Sequence, residues 1–186
     1  MSQDHFKGRF EVELKYRLTS KNDFLAVLQR FPYEVMVENN LETDWHFDSP
    51  SFALREQNKS IVIRQMQPSG ILLWIVKGPE PDRCQAVNIS DALSARSMLE
   101  TMGYQLVMTA QKTRSIYFLG EFHITLDSLE GIGEFAEFAI MTDDESRLED
   151  YRKALVELAK QFGLTENDRE LSSYKALQHA YQSRFE

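Results

Sequence analysis

The chain has 186 residues, 42% hydrophobic and 27% charged, and its 21 lysines and arginines face 29 acids for a net charge of −8. That surplus works against wholesale binding to nucleic acid or anionic membranes, whose phosphates repel it. The length suits one domain, 1–186, with a sizeable core. The longest apolar run (Ile71 to Val76) is far short of the roughly 20 residues of a membrane helix, and a single cysteine, Cys84, excludes an internal disulfide framework. The opening M-S-Q-D-H-F-K-G has no apolar signal core, so the chain reads as cytoplasmic.

Phe10 to Leu18 (F-E-V-E-L-K-Y-R-L) alternates strictly between apolar and charged residues, the period of a β-strand. One face is apolar. The other aligns Glu11, Glu13, Lys15 and Arg17. Ser20 to Phe31 opens with a capping-box-like Ser20/Asp23 pair, places Phe24, Leu25, Leu28 and Phe31 at helical spacing, and stops at Pro32. Tyr33 to Asp48 reads as one or two extended pieces, and Ser49 to Lys59 as a polar loop with a short helical turn. A hairpin follows, with arms Ser60 to Gln67 and Ile71 to Lys77 around Pro68-Ser69-Gly70, closed by Gly78-Pro79. Both arms are almost wholly apolar and so are expected to be buried on both faces. Arg64 and Lys77 within them then need a partner or an anionic ligand.

Glu80 to Ile89 begins as a loop and ends as a short strand. Ser90 to Met102 is an amphipathic helix with an N-cap at its start, ended by Gly103. Tyr104 to Leu119 is extended, with Lys112, Arg114, Ile116 and Phe118 on one face. Phe122 to Leu129 alternates His123, Thr125 and Asp127 against Phe122, Ile124 and Leu126. Glu134 to Met141 carries Glu137 in its middle. A Thr142/Glu145 capping box precedes a helix through Leu148, Tyr151, Leu155, Leu158, Ala159 and Phe162, and a short last helix lies around Leu171 to Tyr181.

Four carboxylates (Glu11, Glu13, Asp127, Glu137) and five cations (Lys15, Arg64, Lys77, Lys112, Arg114) thus stand on strands, with Arg17 and Arg83 as outer candidates. A solvated strand face explains any one of them; the set asks for more. The strands are numerous and short-linked enough to curl into an antiparallel barrel with the charges inside. Such a lumen suits a polyphosphate, with cations along its oxygens and carboxylates holding Mg²⁺ or Mn²⁺. Other signatures fail. There is no phosphate-loop motif, and Gly131 to Ala136 fits G-x-G-x-x-A but joins two strands rather than opening a helix. The four histidines show no zinc-ligand spacing, and Cys84 reads as a packing residue.

Glu11-x-Glu13-x-Lys15 is similar to the E-x-E-x-K signature of the CYTH superfamily, the triphosphate tunnel metalloenzymes. The resemblance continues through Arg64, Lys77-Gly78-Pro79, Lys112-x-Arg114, Asp127 and Gly133-x-Phe135-x-Glu137. Pro68-Ser69-Gly70, L-W-I-V-K-G-P, R-S-I-Y-F and F-A-E-F-A-I-M-T-D-D resemble, more narrowly, the bacterial class IV adenylyl cyclases. The resemblance implies an α+β fold, an antiparallel β-barrel with flanking helices, and a homodimer. It implies conversion of ATP to 3′,5′-cyclic AMP and pyrophosphate with Mg²⁺ or Mn²⁺. By match of position, Glu11, Glu13, Asp127 and Glu137 are metal ligands, and Lys15, Arg64, Lys77, Lys112 and Arg114 are phosphate contacts. Glu11, Glu13, Asp127 and Lys112 carry the chemistry. The alternatives are an inorganic or thiamine triphosphatase using the same tunnel, and a polyphosphate-binding module. Gln85 and Ala139 depart from the wider superfamily, where acids are common, and so predict fewer metal ligands than the triphosphatases have.

Overall fold

The structure, a computed structural model, describes residues 5–184; the outermost residues of the N-terminal stretch, 1–4, and residues 185–186 lie outside it. The chain runs β1 (Phe10–Leu18), α1 (Lys21–Leu28), β2 (Glu34–Asp48), α2 (Ala53–Glu56), β3 (Ser60–Gln67), β4 (Leu72–Lys77) and β5 (Cys84–Asn88). It continues as α3 (Ala92–Thr101), β6 (Gln105–Leu119), β7 (Phe122–Leu129), β8 (Gly133–Thr142), α4 (Leu148–Gln161) and α5 (Tyr174–Gln182). The strands form one antiparallel sheet in the order β1-β8-β7-β6-β2-β3-β4-β5. The sheet curls until its two edges meet. Phe10 bridges Arg83, the Glu11 N–H donates to the Asp82 carbonyl at 2.8 Å, and the Cys84 N–H donates to the Arg9 carbonyl at 2.9 Å. Further along β1, a Tyr16–Arg169 bridge and a 3.0 Å bond from the Glu170 N–H to the Lys15 carbonyl place residues 169–170 along the rest of the seam.

The hydrophobic core lies on the convex face of this sheet. Val12, Leu14 and Tyr16 of β1 pack with Ile124, Leu126, Ala136, Phe138 and Ile140, under Phe24 and Leu28 of α1 and Tyr151, Leu155 and Leu158 of α4. A second cluster joins Phe47, Ile61 and Ile63 to Ala92, Ala95 and Leu99 of α3. Because side chains alternate along each strand, covering one face with helices turns the charged partners of these residues inward.

The segment expected as one or two extended pieces is a single strand, β2, with register shifts between Val35 and Val37, between Val37 and Asn40, and at His46/Phe47. Three local expectations need correction. The N-cap of α3 is Asp91, whose side chain accepts from the Leu93 and Ser94 N–H groups. The Thr142/Glu145 capping box does not form; a 3₁₀ turn capped by Asp144 leads into α4. β4 is only half-buried, with Val76 40% exposed, because its outer neighbour is the short strand β5. Ser20 does cap α1, and Ser173 caps α5.

Candidate active site: a charged lumen

The inside of the barrel holds buried charge in quantity. Lys15, Glu42, Asp44, Lys112, Arg114, Asp127 and Glu137 are all buried. Charges removed from water persist only when paired, and the pairing falls into two walls.

The first wall comes from β2, β3, β6 and β7. Arg114 grips Asp127 with two bonds of 2.6 Å, and its Nη2 also donates to Glu137 Oε2 at 2.6 Å. Arg64 grips Asp44 the same way, at 2.7 and 2.8 Å. Lys112 donates to Glu42, whose carboxylate also meets Arg64 at 3.0 Å and Arg114 at 3.7 Å. Burial works against the charge of Arg114, but Asp127, Glu42 and Glu137 outweigh it and raise its pKa. Asp44 is held low because Arg64 and Lys112 override its own burial.

The second wall comes from β1, β8 and the Lys77 end of β4. Lys77 Nζ lies 3.6 Å from Glu11, and His123 Nε2 lies 3.4 Å from it on the other side. Burial would raise Glu11, but Lys77 and His123 hold it below the usual carboxylate range. Glu137 is held low despite burial, chiefly by Arg114 and then Lys15. Glu13 differs. Among the described residues no cation stands within ion-pair distance of it, and burial together with the Glu137 charge pushes its carboxyl up to about 7.

The C-terminal segment covers part of this wall. Lys15 Nζ donates to the Ser172 carbonyl at 2.8 Å and lies 4.1 Å from the centre of the Tyr174 ring; Lys112 Nζ lies 4.9 Å from the same ring. A cleft of about 250 Å³ lined by Glu13, Lys15, Arg169, Glu170, Leu171 and Ser173 opens there. A larger depression of about 570 Å³, lined by Thr113 and residues 128–134, offers no cation and so no phosphate site. Elsewhere the lumen turns apolar, at Met66, Ile116 and Phe118, with the His5 ring stacked on Phe118 at 4.0 Å.

The nine sequence-selected strand residues therefore share one lumen. Arg17 and Arg83 do not join them: Arg17 pairs with Glu170 at 2.9 Å and is exposed, and Arg83 donates to Gln85. Cys84 is buried, its thiol pushed up to about 12 by burial and then Glu11, which disqualifies it as a nucleophile. Sequence reasoning missed Glu42, Asp44, His123, Ser172 and Tyr174. The signal for Glu42 and Asp44 was present, since residues 40–48 alternate with Thr43 as the single exception on the apolar face.

The carboxylates of Glu11, Glu13 and Glu137 are hard oxygen donors that outnumber Lys15 and Lys77 on the same wall, with Arg114 reaching Glu137 from the other, and they are the donor type a divalent ion such as Mg²⁺ requires. Asp127 fits less directly, because Arg114 occupies both of its oxygens. Among the described residues, no three Asp, Glu, His or Cys side chains already converge as a metal cage.

The CYTH domain family matches residues 9–174, nearly the whole sheet and both lumen walls. The chain belongs to that family. It is 58% identical over 177 residues to adenylate cyclase CyaB of Aeromonas hydrophila, covering 95% of this chain and 93% of the relative. Its fold superposes with a TM-score of 0.91 on a candidate adenylate cyclase from Vibrio parahaemolyticus, 57% identical, over 93% of this chain and 99% of that one. A Pyrococcus horikoshii protein, 22% identical, shares the fold with a TM-score of 0.78 over 92% of this chain and 99% of its own. Among the described residues no helix is long and apolar enough to cross a membrane.

Proposed function

We propose that this protein is an adenylyl cyclase that converts ATP to 3′,5′-cyclic AMP and pyrophosphate inside the lumen, with residues 1–186 acting as one domain. The observation that carries the reading is the meeting, in one buried polar lumen, of Arg64, Lys112 and Arg114 with a wall of surplus carboxylates at Glu11, Glu13 and Glu137. The likeness to CyaB over 95% of the chain supports the reaction.

Lys15, Arg64, Lys77, Lys112 and Arg114 bind the phosphate oxygens. Arginine suits this as a planar fork that can hold two oxygens, and lysine as a compact charge. Glu11, Glu13, Asp127 and Glu137 would hold the divalent ion, Mg²⁺ or Mn²⁺. Such an ion supplies Lewis-acid polarisation of the oxygens around it. The fixed cations stop the triphosphate from rotating, so that the ribose 3′-oxygen faces the α-phosphorus in line. A bond forms between those atoms as the bond from the α-phosphorus to the oxygen bridging it to the β-phosphorus breaks; pyrophosphate leaves with that electron pair, and the 3′-hydroxyl proton passes to water. Lys112 and Arg114 take up the charge that collects on the departing pyrophosphate. Glu11, Glu13, Asp127 and Lys112 are thus the residues on which turnover depends. The protein works in the cytoplasm, where ATP is supplied, and as a homodimer. Exposed Leu93 and Met98 on α3, with Met102 at its C-cap, support the latter.

Product analysis tests the reaction. Purified protein is incubated with ATP and Mg²⁺ or Mn²⁺, and the products are separated with mass detection. Cyclic AMP and pyrophosphate in equal amounts are expected. ADP with phosphate, or phosphate loss from inorganic or thiamine triphosphate without cyclic AMP, would replace the cyclase with a hydrolase in the same lumen.

A further inference from the structure

Glu42 is not among the residues to which the proposed chemistry gives a task, yet it is the most connected carboxylate of the lumen. Its side chain is 0% exposed. It touches Lys112, Arg64 at 3.0 Å and Arg114 at 3.7 Å, three of the five cations assigned to phosphate. Asp44, one position further along the same face of β2, holds Arg64 through both oxygens and lies 3.9 Å from Lys112. Three cations converging at this separation repel one another strongly unless an anion sits among them. In this structure that anion is the Glu42 carboxylate, whose negative oxygens accept from the same cations that a phosphate oxygen would use.

We propose that Glu42, assisted by Asp44, is a built-in counter-ion that occupies a phosphate position among Arg64, Lys112 and Arg114 and yields those cations to the triphosphate on binding. It is a positioning residue. It holds the three cations in place and out of mutual repulsion while the lumen is free, and it weakens polyphosphate binding by competing for them. The competition serves turnover. Pyrophosphate released by the reaction would otherwise stay on three unopposed cations, and the returning carboxylate helps to expel it.

The proposal rests on the polyphosphate reading of the lumen, and the test separates the two. Inorganic tripolyphosphate is titrated into wild type, Glu42→Gln, Glu42→Asp and Asp44→Asn by calorimetry in EDTA. Thermal melting is followed with and without the same ligand. Failure of wild type to bind tripolyphosphate would sink the lumen reading itself. Given wild-type binding, Glu42→Gln is expected to bind about 10- to 100-fold tighter, because one competing charge has gone. Asp44→Asn should shift the same way by less, and Glu42→Asp should return towards wild type. With ATP, Glu42→Gln should lower both KM and kcat, and added pyrophosphate should inhibit it more strongly. If Glu42→Gln melts early, tripolyphosphate should raise its melting temperature by more than it raises that of wild type. Equal or weaker tripolyphosphate binding by Glu42→Gln, or a ligand-induced rise no larger than that of wild type, overturns the proposal and leaves Glu42 as a structural ion-pair partner.

Discussion

On the wall made by β1 and β8, Glu11, Glu13 and Glu137 outnumber Lys15 and Lys77; Arg114 reaches across to Glu137, but among the described residues no cation stands in ion-pair range of Glu13. On the wall made by β2, β3, β6 and β7, each of Arg64, Lys112 and Arg114 is matched by Glu42, Asp44 or Asp127. The two walls belong to one sheet and one lumen, but they are prepared for different arrivals. A carboxylate surplus is relieved only by adding positive charge. A balanced set of ion pairs accepts an anion only by giving up one it already holds. The first wall is thus built for addition and the second for exchange.

The sharpest way to break this division is to empty the first wall. Glu13→Ala and Glu11→Ala should each lower cyclic AMP formation by about 10²- to 10³-fold, the usual scale for losing a buried electrostatic contributor to a transition state. Metal-free tripolyphosphate binding, which depends on the second wall, should change only a few-fold by calorimetry. Parallel loss of both would show that the walls do not act separately.

A smaller effect should appear in stability against pH. The Glu13 carboxyl titrates at about 7 in the folded protein against an ordinary 4.5. The folded state therefore binds more protons than the unfolded one in that window, and its contribution to stability falls as pH rises from about 4.5 through 7. His46, held down to about 4 by burial, acts in the opposite direction over part of the range. The comparison must therefore be with Glu13→Gln rather than with a reference curve. In EDTA, the melting temperature of wild type should fall relative to that variant as pH rises through the window. Parallel curves would mean that Glu13 has a partner after all.

The smallest effect belongs outside both walls. Arg17 is a partly exposed partner of Glu170, so Arg17→Ala should cost about 1 kcal/mol in denaturant melts and leave kcat within about threefold. A large loss of rate would extend the site beyond the lumen.

The contrast between the walls also tracks what could be read in advance. β1 announces itself because nine residues alternate without a break, and its partner Glu137 stands in the middle of a mostly apolar strand. Glu42 and Asp44 also stand in an alternating stretch, interrupted only by Thr43, but the shifts at Val35, Val37 and Asn40 put the front half of β2 out of phase with the back half. That blurs the period over the whole segment. Tyr174 and the Ser172 carbonyl leave no local trace. They reach Lys15 and Lys112 because residues 169–170 lie along the seam of the barrel, a matter of chain path rather than pattern. The double burial expected of the hairpin fails at β4 for the same kind of reason: apolar composition does not reveal that the strand beyond is short and exposed.

The pairing of β1 with β8 has a consequence for how the protein comes into being. β1 is the first strand synthesised, and its strand partner β8 is the last, Phe10 meeting Thr142. Contacts this distant in sequence form slowly, and a growing chain leaves its early strands waiting. The hairpins β3–β4 and β6–β7 can form from neighbouring residues, whereas Glu11, Glu13 and Lys15 gain their strand neighbours only after β8 has emerged. That wall is thus completed late, and a chain interrupted before β8 holds many of its strands but lacks Glu137 and the strand that pairs with β1.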